Sequence, residues 1–396
     1  MTEIYLDNSA TTPLCQAAVE KMTETMGVYG NPSSLHKMGL VAEKVISQAK
    51  EQILAALCPA KTGIRPKKEQ LIFTASGTEA NNLALIGTMT AKSRNKGKKL
   101  IVGETEHPSV IEAAKHLETL GYKVAYIPSP KGVFDMRKYK EELTSDTVLV
   151  SAMLVNNETG AMNDIAEIAR MAKAVSPDIL IHCDAVQGFL KTAQSPLPYA
   201  DMVTVSAHKI GGPKGVGALY VSDRVLKTKS LVPVIFGGGQ ENGFRSGTEN
   251  VIGIAGFGAA AQEGAAHLQK TLSSFAELRA YFMEQYPSYL GENAHINDPE
   301  SQNKAQHIIS LTINGFKSET LLHSLSGYGV FVSSGSACSS NTGHASYVLH
   351  SFGLSDQDAD STLRISFGEQ NTRQDIDMLL NALKDSIAKL ARIRRR

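Results

Sequence analysis

The sequence has no tryptophan, only 6% aromatic residues, and only four cysteines among its 396 residues. Cys15, Cys58, Cys183 and Cys338 lie far apart and no C-x-x-C occurs, which excludes a zinc ribbon and a thioredoxin-like dithiol. So few thiols in so long a chain fit a reducing compartment. Neither sign of charge dominates: 40 Lys and Arg stand against 39 Asp and Glu, so no global field favours direct contact with nucleic acid. No apolar run approaches the roughly 20 residues of a membrane-spanning helix, and "MTEIYLDNSATTP" has no basic or apolar leader region. A cytoplasmic protein without a membrane partner is therefore expected. The one basic cluster is "RIRRR" at 392–396, either a solvated helix end or a docking tail for an acidic partner.

What is present is an ordinary globular composition, 42% hydrophobic and 20% charged, in a chain long enough for two domains. Seven short apolar runs alternate with helical spacing: "QLIFTA" (70–75), "KLIVGE" (99–104), "KVAYIP" (123–128), "TVLVSAML" (147–154), "ILIHCD" (179–184), "DMVTVSA" (201–207) and "GALYVS" (217–222). Runs so continuously apolar predict strands covered on both faces, hence an α/β domain with a mostly parallel sheet. A long small-residue helix is predicted after Asn250, followed by a smaller α+β domain with strands at "HIISLTI" and "RISFG". In an open α/β sheet, functional residues are expected just past strand C-termini.

Several motifs have that address. Lys209 in "SAHKIGGPKGVGALY" follows a strand at once and sits among glycines that admit close backbone approach, as a Schiff-base lysine requires; a surface lysine is the alternative. Asp184 in "IHCDAVQ" ends an apolar strand, as a helix N-cap or as the partner of a protonated pyridine nitrogen, with Gln187 able to reach a phenolic oxygen. "TASGTEANN" sets Gly77 and Thr78 at a helix N-terminus, a phosphate cup or simply a capping box from Ser76 to Glu79. His107 in "TEHPSV" could stack on an aromatic cofactor and move protons, or be structural. Asn156 and Asn157 cap a strand end, and Arg364 could fork onto a substrate carboxylate or form an ion pair. Cys338 sits in "VSSGSACSS", a Ser/Gly/Ala stretch that favours loops and buries little apolar area, an odd place for a structural thiol. Cys183, inside a strand run, reads as core.

With these motifs in this order, the chain resembles the pyridoxal-phosphate-dependent cysteine desulfurases, the NifS/IscS-like group of class V aminotransferases. The resemblance runs from "YLDNSATTP" and "GNPSSLH" through "SGTEANN", "TEHPSV", "VNNETG", "HCDAVQ", "SAHKIGGPKGVGALY" and "GGGQENGFRSGTEN" to "SSGSACSS" and "RISFG". It implies a fold-type I large domain with a mostly parallel seven-stranded sheet over 16–260, and a smaller α+β domain from 1–15 with 261–396. It implies pyridoxal 5'-phosphate held by Lys209, Asp184, Gln187, His107, Asn157, Gly77, Thr78, Ser206 and His208. Thr248 would reach the phosphate of the other subunit of a homodimer. Arg364, with Asn157, would bind L-cysteine, and Cys338 would take its sulfur as a persulfide for an iron–sulfur scaffold or tRNA sulfurtransferase. A catalytic set of Cys338, Lys209 and His107 follows, with no metal. A selenocysteine lyase or other β-eliminating enzyme keeps the same cofactor, and a cofactor-binding scaffold without turnover is a third reading. Two departures stand out. "FTASGTE" has Ala75 and Ser76 where the family has Ser-Gly. "QGFLK" has Leu190 where glycine is usual, which suggests a local helix change.

Overall fold

The computed structural model describes residues 3–58, 63–91, 97–299, 304–334 and 346–394. All seven predicted strands form: β2 (Leu71–Thr74), β3 (Lys99–Gly103), β4 (Lys123–Ile127), β5 (Thr147–Ser151), β6 (Leu180–Asp184), β7 (Met202–Ser206) and β8 (Gly217–Val221), after a short β1 (Ile4–Tyr5). They make one sheet in the order β2-β8-β7-β6-β5-β3-β4, parallel except where β8 runs against β7 and β2.

The continuous apolar runs have a simple cause. Successive side chains point to opposite faces, and both faces are covered. On β3, Leu100 and Val102 pack with residues of the helices Gly77–Met89 and Pro108–Thr119, while Ile101 joins a core shared with Lys37–Leu57 and Ile165–Val175. Cys183 is fully buried in the latter core, as its strand position predicted.

A second layer is built from β9 (Ala294–Ile296), β10 (Ile308–Ile313), β12 (Ser333–Ser334) and β13 (Thr362–Ser366), an antiparallel sheet in the order β12-β13-β10-β9. β1 pairs in parallel with β11 (Val330–Phe331), so the N-terminus joins this layer. The 40-residue helix Val251–Leu290 serves both: Val251, Ile254, Phe257 and Ala261 enter the large core, Phe275, Leu278 and Phe282 the small one.

Every strand of the large sheet but β8 ends at one edge, and there the start of β8 lies between the ends of β2 and β7, Gly217 pairing with Thr74 and Ser206. One buried ion pair ties a flanking loop to this edge. Glu241 accepts from Lys50 Nζ at 2.7 Å and from the β2 amide of Phe73 at 3.2 Å. Removing one partner of a buried pair leaves a charge without compensation. Lys50→Met is expected to lower stability by about 3 kcal/mol, read as a fall in the urea midpoint at neutral pH.

Candidate active site

At the C-terminal edge of the large sheet lies a cavity of about 370 Å³ lined by residues from five strand ends, the N-terminal segment and β13, among them Gly77, Thr78, His107, Asn157, Asp184, Gln187, Ser206, His208, Lys209 and Arg364. The edge gathers polar side chains because strand ends leave the covered interior while their carbonyls and helix N-termini still need partners.

Asp184 closes β6 and is 5% exposed. Its Oδ2 accepts from Asn81 Nδ2 at 2.8 Å and its Oδ1 from the amide of Val186 at 3.0 Å. Asn81 Nδ2 also donates to Ser109 Oγ at 2.8 Å, and Ser109 Oγ lies 2.8 Å from His107 Nδ1. A continuous polar chain thus joins the carboxylate to the imidazole. Burial, with the charge of Lys209 added, lowers the His107 pKa against the pull of Asp184. Behind them Glu106 is buried, and burial first and Asp184 second push its carboxyl up to about 8.

Lys209 follows β7 in a single turn, Ala207–Lys209, and its Nζ donates to the carbonyls of Ser9 at 2.6 Å and Ala10 at 2.8 Å. Gln187 Nε2 donates to the same Ser9 carbonyl at 2.8 Å. His208 Nδ1 lies 3.2 Å from Thr11 Oγ1, and burial, with Lys209 next, lowers its pKa to about 4. Arg364 on β13 reaches in from the second layer: Nη2 donates to Asp7 Oδ1 at 2.7 Å and Nη1 to the Asn157 carbonyl at 3.2 Å, while Nε is buried without a partner.

Ser76 caps the helix Gly77–Met89 by accepting from the Glu79 amide at 3.2 Å. The reciprocal bond is displaced by one residue: Glu79 Oε2 accepts from the Ala75 amide at 3.1 Å, and Glu79 also binds Arg245. The capping motif and the phosphate cup therefore coexist, since the amides of the first turn remain free of intrahelical partners.

Pyridoxal phosphate fits this donor set. Ser206 Oγ is buried beside the helix start with no hydrogen-bond partner among the described residues, placed to meet a phosphate oxygen. Asp184 has no cation within ion-pair distance among the described residues, as a partner for a pyridinium nitrogen requires. Gly217 permits the close approach: a Cβ there would lie 2.5 Å from the Ser76 carbonyl carbon and 2.8 Å from the Gly77 nitrogen.

Two expected residues stand apart. Thr248 lines a different cavity, with Phe73, Ala75, Glu241 and Arg245. Cys338 lies outside the described residues, as does the end of "RIRRR" at 395–396. The chain on either side of Cys338 is nevertheless tied to the site. Ser333 pairs with Arg364 across β12 and β13, Ser346 Oγ donates to Glu158 Oε2 at 2.6 Å, and Tyr347 OH donates to the Glu106 carbonyl.

Asn81, Ser109, Glu106, Glu158 and Lys191 were not singled out from the sequence. Asn81 had a signal, since it stands one helical turn past Gly77 on the same face. The "QGFLK" departure is not a change of helix. Leu190 keeps a left-handed backbone at φ 57°, the conformation glycine adopts freely, and its side chain packs against Gly264.

An open, mostly parallel sheet that gathers a lysine, a carboxylate and a helix N-terminus at one edge defines a fold-type I enzyme. The profile of the family described as Aminotransferase class-V matches residues 4–379. Cysteine desulfurase IscS of Dictyoglomus turgidum is 38% identical over 99% of this chain and 96% of its own length. Cysteine desulfurase IscS 1 of Archaeoglobus fulgidus is 36% identical over 98% of this chain and 97% of its own. Among solved structures, a NifS-like protein superposes with a TM-score of 0.88 at 32% identity, covering 98% of this chain and all of that one. A structure titled SspA in complex with cysteine gives 0.76 at 30% identity, covering 92% of this chain and 99% of that one. The chain belongs to the class-V aminotransferases, on their cysteine desulfurase branch.

Gly217→Ala is expected to weaken pyridoxal phosphate binding about tenfold, because overpacking of about 1–3 kcal/mol must be relieved by moving the Ser76–Gly77 backbone. Titration of the cofactor absorbance checks it.

Proposed function

We propose that this protein is a pyridoxal-phosphate-dependent cysteine desulfurase that converts L-cysteine to L-alanine and carries the sulfur on Cys338. The observation that carries the reading is the convergence of Lys209, Asp184, Arg364 and both flanks of the Cys338 segment on one cavity. When bound, pyridoxal phosphate supplies an electron sink that makes the substrate Cα proton and C–S bond labile.

The chain's own residues then divide the work. Asp184 would hold the pyridine nitrogen in its protonated form, with Asn81 and the Val186 amide fixing its oxygens. Gln187 would donate to the phenolic oxygen, His107 would stack on the ring and move protons, and Asn157 would lie beside it. Gly77, Thr78, Ser206 and His208 would hold the phosphate. Lys209 would hold the cofactor at rest and would serve as the base for the substrate Cα proton. The Ser9 and Ala10 carbonyls give its amine a resting place. Arg364 turns from Asp7 to the substrate carboxylate. The Cys338 thiolate would attack the substrate sulfur: the S–S bond forms, the substrate Cβ–S bond breaks with its electron pair left on Cβ, and protonation at Cβ gives the methyl group of alanine. A free thiol with a pKa near 8.5 is mostly protonated at neutral pH, so the site must help ionise it.

The division into 16–260 and 1–15 with 261–396 is supported by the two cores sharing one helix. A homodimer is supported by Thr248 lying away from this chain's own cavity and by the exposed apolar side chains Leu35 (93%), Tyr29 (81%) and Phe236 (80%). A cytoplasmic setting accords with four cysteines in so long a chain. No helix among the described residues is long and apolar enough to cross a membrane. A sulfur-acceptor protein completes the cycle, an iron–sulfur scaffold or a tRNA sulfurtransferase.

The deciding experiment measures alanine released from L-cysteine with a reductant present. Wild type is expected to turn over and Cys338→Ala to lose at least about a hundredfold, the scale on which a covalent nucleophile contributes. Equal release from both would point to β-elimination without Cys338 and overturn the reading. Removal of residues 392–396 is expected to leave alanine release intact and to slow sulfur transfer to an acceptor. Unchanged transfer would discard the docking role of the tail.

A further inference from the structure

Lys191 has no role in the mechanism above, yet its setting is unusual. It is 6% exposed, and no carboxylate lies within ion-pair distance of it among the described residues. A buried ammonium is ordinarily paired or loses its charge. Here burial first, then Lys209 and Arg364, lower the Lys191 pKa to about 7. The nearby His307 imidazole, fully buried with neither nitrogen bonded, adds no acceptor charge.

The backbone is bent to deliver this side chain. Leu190 immediately before it has φ 57°, a conformation unfavourable for a residue with a Cβ, and strain of this kind gathers at functional positions. Lys191 lines a cavity of about 350 Å³ on the far side of Lys209. The two carboxylates of that cavity are already engaged, Glu263 with the Ala17 amide and Glu369 with Thr271 Oγ1. The bond that Lys191 Nζ does make is to Gln187 Oε1, at 3.4 Å.

That bond has a consequence. An amide side chain presents N–H or C=O according to which way it is turned. Gln187 Nε2 is held by the Ser9 carbonyl and its Oε1 by Lys191, so both ends of the amide are specified. We propose that Lys191 is a positioning residue that fixes the Gln187 amide so that its N–H faces the cofactor's phenolic oxygen. This inference rests on the cofactor reading above, in which Gln187 meets that oxygen.

The test is the pH midpoint of the visible absorbance of the loaded enzyme, compared among wild type, Lys191→Met, Gln187→Leu and the double variant. An N–H donated to the phenolic oxygen favours the less protonated form of the cofactor–lysine linkage. Its loss therefore raises the midpoint, by about one pH unit. Lys191→Met and Gln187→Leu are each expected to raise it, and the double variant to match Gln187→Leu alone. Lys191→Gln, which keeps an N–H donor without a charge, is expected to stay near wild type. A Lys191→Met shift that adds in full to that of Gln187→Leu would mean that Lys191 acts through its charge, and would overturn the proposal. So would an unshifted Lys191→Met beside a shifted Gln187→Leu. An unshifted Gln187→Leu would instead remove the Gln187 contact itself, and this inference with it, while leaving alanine release as the separate test of the desulfurase reading. Should Lys191→Met fail to fold, Lys191→Leu and Lys191→Gln make the same comparison.

Discussion

The buried Asp184 carboxylate is the constraint around which the site is arranged. A carboxylate at the end of a covered strand must be held by fixed donors, and Asn81 and the Val186 amide supply them. Asn81 in turn fixes Ser109, and Ser109 fixes His107, so one polar chain sets the positions of groups from three elements. The same field acts on neighbours that make no bond to it. Glu106 is pushed up to about 8 by burial and then by Asp184, so two carboxyls in one low-dielectric region do not both carry charge at neutral pH.

The second constraint is that the N-terminal segment belongs to both layers. β1 pairs with β11, Asp7 holds Arg364, and the next carbonyls, Ser9 and Ala10, hold Lys209. Lys209 and Arg364, one from each layer, are therefore referenced to four consecutive residues. A shift of the small layer against the large one would be felt at Lys209 through this strap, without direct contact between the two cations.

Much of this was legible in the sequence because the large sheet buries both faces. Seven apolar runs became seven strands with ends within three residues of the expected places, and Lys209, Asp184, His107 and Asn157 came to one edge because strand polarity put them there. What stayed illegible has physical reasons. The carbonyls of Ser9 and Ala10 act through backbone, which carries no residue signature. Lys191 was hidden because a lysine four residues past a glutamine reads as a surface residue until the Leu190 turn drives it inward. The left-handed turn at Leu190 carries no signal in its residue type, since a residue with a Cβ stands in the conformation that glycine adopts freely, its side chain packed against Gly264. Thr248 could not be joined to the site within one chain, since its own cavity faces another way.

The charge balance of the pocket follows from these pieces. Glu158 is raised to about 7 by burial, opposed by Ser346 and Arg364, and Glu106 to about 8. Both folded-state values lie above the ordinary 4.5, so the folded protein holds more protons than the unfolded chain. Their contribution to stability is complete below about pH 4.5. It is lost as pH rises, through about 7 for Glu158 and about 8 for Glu106. The cavity gathers Asp184, Lys209 and Arg364, the last bonded to Asp7, with helix amides at the Gly77 end. At neutral pH Glu106 is mostly protonated and Glu158 about half so, which reduces the negative charge that a bound anion would meet. Glu158 accepts from Ser346 Oγ and the Glu106 carbonyl from Tyr347 OH, so both anchor the chain that resumes at Ser346.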